Sequence, residues 1–67
     1  MITEQKLQFI RNYINTANAQ QYDQSKRYFL AMARGATMAY GADGSISVRD
    51  ISTLTHEIET ALKGIGN

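Results

Sequence analysis

With 67 residues, no cysteine and a single histidine (His56), the chain has no route to disulfides or thiolate metal sites and almost none to a zinc site. A chain this short makes one domain, 1–67, and buries only about 60% of the surface its unfolded form exposes, so self-association or docking on another protein is the expected extra source of stability. Seven basic residues against six acidic ones leave a net charge of +1, too small for a global pull toward nucleic acid or acidic membranes.

The charge is unevenly spread. Residues 1–35 hold Lys6, Arg11, Lys26, Arg27 and Arg34 against Glu4 and Asp23, whereas residues 36–67 hold Arg49 and Lys63 against Asp43, Asp50, Glu57 and Glu59. No apolar run approaches the roughly 18 residues of a membrane span, and the N-terminus lacks the basic and apolar segments of a signal peptide. A soluble, cytoplasmic protein with no membrane role is therefore expected. Proline is absent, alternating β-branched runs are missing, and the strongest turn signal is one cluster, Gly41-Ala42-Asp43-Gly44-Ser45. That pattern predicts an all-α fold.

The first helix is expected over about 3–19. Thr3 stands as N-cap, and Ile2 and Leu7 have the spacing of a hydrophobic staple across it. Leu7, Ile10, Ile14 and Ala17 then recur at three- and four-residue steps, the period of one helix face. Phe9 and Tyr13 widen the apolar arc to about 160°, more than one core contact requires. The polar stretch from Asn15 to Gln21 suits a turn.

The second helix is expected over about 22–40, with Gly41 as its C-terminal glycine. Its stripe reads Tyr22, Phe29, Ala33, Ala36 and Tyr40, while Tyr28, Leu30 and Met38 lie off it. The helix is apolar around most of its circumference except for a face bearing Asp23, Lys26, Arg27, Arg34 and Thr37. Gly35 in its interior costs about 1 kcal/mol relative to alanine, which asks for a packing reason. Ala31, Gly35 and Ala39 form a smooth ridge of small residues whose expected use is close packing inside the bundle, with a dimer axis as the alternative.

The third helix is expected over about 47–63. Ser47 and Asp50 form an acidic variant of the capping box, and Ile46 and Ile51 a second staple. Ile51, Leu54, Ile58, Ala61 or Leu62, and Ile65 trace a narrow stripe. Gly64 ends the helix, with Ile65 folding back as in a Schellman cap. Three helices with short links predict a small three-helix bundle, or a helical hairpin plus a third helix, possibly completed by dimerisation.

Little chemistry is legible. Residues 39–50 resemble the second half of an EF-hand or dockerin calcium loop, with Asp43, Gly44, Ile46 and Asp50 in matching positions. Ala39 and Gly41 occupy two positions where oxygen ligands belong, so a glycine turn leading into a capped helix is the expected structure and no metal site is expected. His56 points away from the apolar stripe among Ser52, Glu59 and Lys63, an arrangement without the nucleophile, base and orienting group of covalent catalysis. No phosphate-binding loop or other cofactor motif is present, so neither an enzyme nor a small-molecule substrate is expected.

The expected activity is protein binding. Phe9, Tyr13, Tyr28, Met32 and Met38 are the candidate contact residues, because tyrosine and methionine combine large contact area with adaptability. A homodimer or a partner protein would cover them, in the manner of a small regulator or inhibitor of the kind bacteria and their phages use as accessory proteins. The alternative is a nucleic-acid-associated accessory protein using Lys26, Arg27 and Arg34 on the second helix. The acidic residues of the third helix, Asp50, Glu57 and Glu59, count against it.

Overall fold

A computed structural model describes residues 3–65 and shows three helices: α1 (Thr3–Ala19), α2 (Asp23–Ala42) and α3 (Val48–Lys63). The described residues contain no strand. The expected staple from Ile2 lies outside the described residues. The helices pack into a body measuring 34 × 18 × 14 Å. The α1–α2 hairpin has the most extensive contact and α1–α3 the least, so α3 lies along one side of a hairpin rather than equally between its two partners.

The core is small and continuous: Ile10, Ile14 and Ala17 from α1, Leu30 and Ala33 from α2, Leu54 and Ile58 from α3, with Ile46 and Ile65 closing its ends. The stripes expected on α1 and α3 are the ones buried. On α2 the buried stripe is rotated from the expected one. Leu30, Ala33 and Thr37 face inward, whereas Tyr22 is 68% exposed. Thr37, expected on the charged face, is buried because its hydroxyl donates to the Ala33 carbonyl at 2.7 Å. That bond removes the cost of placing an unpaired hydroxyl in the core.

Three glycines depart from expectation. Gly41 does not end α2, which runs one residue further; it lies where α3 crosses, and a Cβ built there would meet Ile51 Cδ1 at 2.6 Å and Cγ1 at 3.1 Å. Among the described residues the one with positive φ is Gly44, at 78°, a left-handed conformation that favours glycine. Gly35 has no packing neighbour: a Cβ would find nothing within 4 Å, and Ala31, Gly35 and Ala39 form an exposed ridge rather than a buried one. At the other end of the chain, Gly64 stays right-handed (φ −75°), so the expected Schellman cap is replaced by a tightened last turn with Ile65 N–H donating to Leu62 O at 3.1 Å. Ile65 still folds back and is buried.

The capping box at α3 is complete. Asp50 N–H donates to Ser47 Oγ at 3.0 Å, and Ser47 N–H donates to Asp50 Oδ2 at 3.2 Å. The α2–α3 connection is held by Ser45, which the sequence reading passed over. Its carbonyl accepts from the Thr3 hydroxyl at 3.1 Å and its hydroxyl from the Lys6 ammonium, while its own N–H donates to Tyr40 O and Asp43 Oδ1. One residue thus ties the start of α1 to the end of α2. The calcium-loop resemblance has no counterpart in this geometry, since Ala39 and Gly41 lie within α2 and the Asp43 carboxylate is turned to Ser45.

Candidate interaction face

Two contacts fix the side of the hairpin that α3 occupies. Ile51 lies against Gly41 on α2, and the Arg11 guanidinium meets the Glu57 carboxylate at 3.2 Å from α1. At about 100° per residue, Phe9 stands about 160° from Arg11 around α1, and Met32 about 180° from Gly41 around α2. Phe9 and Met32 therefore belong to the face of the hairpin turned away from α3.

That face is aromatic and only partly covered. The Phe9 ring makes edge contacts with Tyr13 (centroids 5.1 Å apart) and with Tyr40 of α2 (6.4 Å). Tyr13, Phe29, Ala36 and Tyr40 pack on the core with their outer surfaces still accessible, Met32 is half-buried, and Phe9 remains 40% exposed. Tyr13, Phe29 and Tyr40 each have one side on the core and the other toward solvent, and Phe9 lies over Tyr13 and Tyr40. Offset and edge-to-face ring pairs of this kind contribute roughly 0.5–1.5 kcal/mol beyond the area they bury, which keeps the face ordered while it is open.

The five residues expected to form one binding surface do not all meet. Phe9, Tyr13 and Met32 share the face described. Tyr28, 63% exposed, sits at its rim with its ring 5.4 Å from Phe29. Met38, 65% exposed, stands about 120° from Met32 around α2 and belongs to a different surface. Phe29 and Tyr40 complete the face although sequence reasoning named neither as a contact residue. Phe29 and Tyr40 were legible as members of an apolar stripe, and what was missing was which way that stripe turned.

The basic residues of the alternative are gathered only in part. Arg27 and Arg34 are exposed, but Lys26 is half-buried and about 80–100° from both around the helix. The expected reinforcements are engaged elsewhere: Lys6 bonds to Ser45 and lies 5.0 Å from the Tyr40 ring centroid, and Arg11 pairs with Glu57.

Two grooves remain. One, of about 460 Å³, runs along the start of α2 between Tyr22, Ser25, Tyr28 and Phe29 and continues the aromatic face. The other, of about 570 Å³, lies between α1 and α3 and is lined by Ile14, Asn15, Asn18, His56, Glu57 and Thr60. His56 is exposed there, as its place on the α3 wheel predicted. Among the described residues no group of three His, Asp or Glu side chains is arranged to hold a metal ion. The Asp43 carboxyl is held below the ordinary aspartate range by hydrogen bonds from Ser45 and, more weakly, by the charge of Lys6. Among the described residues no helix is long and apolar enough to cross a membrane.

The fold and the face define a small all-helical chain with one accessible aromatic surface. Comparison with known proteins adds no relative: no family model, curated protein or solved structure matches it.

Proposed function

We propose that this chain is a non-catalytic protein–protein interaction module that docks through the α1–α2 face. The observation that carries the reading is the row of half-exposed rings, Phe9, Tyr13, Phe29 and Tyr40, with Met32 among them, on the side of the hairpin that α3 leaves open. Aromatic residues and methionine are enriched at the buried centres of interfaces, where a few large side chains in desolvated pockets supply most of the affinity. Amide and hydroxyl groups at the rim, such as Asn12 and Thr16, would orient the partner. Action is steric or scaffolding, as suits an accessory regulator or inhibitor: the face occupies a groove on its partner, and no bond is made or broken.

A photo-crosslinking benzoylphenylalanine placed at Thr16, which is exposed on α1 beside Phe9, tests the reading in the cells that make the protein. The expected result is a discrete protein adduct at position 16 and none at Glu59, exposed on α3. Absence of adducts at position 16, or equal labelling at both positions, would contradict it.

A further inference from the structure

We propose that the occupant of this face is a second copy of the same chain, paired about a two-fold axis into a six-helix dimer. The inference rests on the docking reading above and adds its partner.

Charge carries the argument. In an isologous contact the same patch meets itself, so any ionic group near the axis faces its own like charge. A self-pairing face must therefore be free of net charge at its centre, whereas a face built for a different partner has no such constraint and commonly carries a charged rim that complements that partner. The chain has thirteen ionic residues, seven basic and six acidic. None of them falls among Phe9, Tyr13, Phe29, Met32 and Ala36. Arg11 and Glu57 are paired on the α3 side, and Arg27 and Arg34 lie on the half of α2 away from Met32. The half-buried Lys26 stands one turn from Tyr22 and Phe29 at one end of the face, and at the other the nearest ionic groups are Lys6, over the Tyr40 ring, and Asp43. These two are opposite in sign and stand together at that end through Ser45. An antiparallel pairing sets that end against the turn at 20–22 of the other copy, which is uncharged itself and is followed by Asp23 and Lys26, again opposite in sign.

Size agrees. The broad side of the molecule measures 34 × 18 Å, a projected area of about 600 Å². That projection bounds the face and stands at the lower end of what a stable interface buries per partner, about 600 Å². Pairing also supplies what a short chain lacks. It finishes the burial of rings that the monomer covers on one side only, in a domain whose own core leaves about 40% of its surface exposed.

The test is absolute mass by sedimentation and light scattering across a wide concentration range, at low and high salt. Wild type is expected at twice the 7.5 kDa chain mass, with little dependence on salt. Met32→Glu places a carboxylate against its own copy and should raise the dimer Kd by about tenfold or more, a loss of about 1.4 kcal/mol. Because Met32 is half-buried, Thr16→Arg serves beside it: Thr16 is exposed, so a folded monomer with unchanged helical circular dichroism is expected. Glu59→Lys on α3 should remain dimeric. A wild type that is monomeric at every concentration overturns the self-pairing. If position 16 still crosslinks another protein, the docking reading stands and only the partner changes. A dimer that survives both Met32→Glu and Thr16→Arg places the contact elsewhere and overturns the self-pairing through this face.

Discussion

Gly35 and Gly41 stand in the same helix, yet replacing each with alanine should move stability in opposite directions. In an exposed helix interior, glycine costs about 1 kcal/mol relative to alanine through the backbone freedom it loses on folding. At Gly35 a Cβ meets nothing within 4 Å, so Gly35→Ala should recover that full amount, raising the Tm by about 4–8 °C for a domain of this size. At Gly41 the same propensity gain is offset by the collision with Ile51, whose Cδ1 and Cγ1 would lie at 2.6 and 3.1 Å from the new methyl. Rotating Cδ1 away relieves the first contact only. The second holds the stem of a β-branched side chain packed on the core, and forcing space into such a site typically costs about 1–3 kcal/mol. The net for Gly41→Ala is a loss of up to about 2 kcal/mol by those two figures. Urea unfolding of both variants measures the contrast, and Ile51→Val closes a double-mutant cycle. Alone, Ile51→Val should cost about 0.5–1.5 kcal/mol. In the Gly41→Ala background it should cost less, because it removes Cδ1, the nearer of the two colliding atoms, and leaves Cγ1 as a methyl that carries nothing beyond it. If Gly41→Ala stabilises as much as Gly35→Ala, α3 does not approach α2 at this glycine and the packing described is wrong.

Three further outcomes follow from the fold. Ile58→Asp sets a carboxylate where only 3% of the residue is accessible, so the domain should be unfolded by circular dichroism; an unchanged Tm would contradict the assignment of the α3 stripe. Ser47→Ala removes the Oγ that accepts from Asp50 N–H, while the Ser47 N–H can still donate to Asp50 Oδ2, and should cost about 1 kcal/mol in chemical denaturation, whereas a change of under a few tenths would show the cap to be replaceable by water. Asp43 has a folded-state pKa below its unfolded one, so the stability it contributes is present above the ordinary aspartate range and is lost as pH falls through the folded value. Asp43→Asn should therefore flatten the acid limb of the stability–pH curve below about pH 4; a limb unchanged in shape would mean that the Ser45 contacts do not favour the carboxylate.

What could be read in the sequence was what is local. The Ser47–Asp50 box depends on residues three apart, and the α3 stripe on a period of 3.6, so both survive folding unaltered. What could not be read was set by contacts distant along the chain. Helix α2 is apolar around most of its surface, so its periodicity does not choose an inward face; the choice of Leu30 and Thr37 depends on where α1 and α3 lie. A glycine at the end of an apolar stripe looks like a cap, and only the position of Ile51 shows that Gly41 is a crossing point and that Gly44 makes the turn. Ser45 gathers its partners from Thr3 and Lys6, about forty positions away, which no local pattern reports. The candidate face was half legible for the same reason: surplus rings could be counted on α1, but joining Phe9 and Tyr13 to Phe29 and Tyr40, and separating them from Met38, required the rotation of α2.

The most direct test of the account is nuclear magnetic resonance of the dilution series, reading each residue's amide shift against protein concentration. Shifts confined to Phe9, Tyr13, Phe29, Met32 and their neighbours, with His56 and Glu59 on α3 unmoved, are the predicted result. Shifts concentrated on α3 or in the α1–α3 groove would contradict it, as would a spectrum unchanged over concentrations across which the mass falls from dimer to monomer.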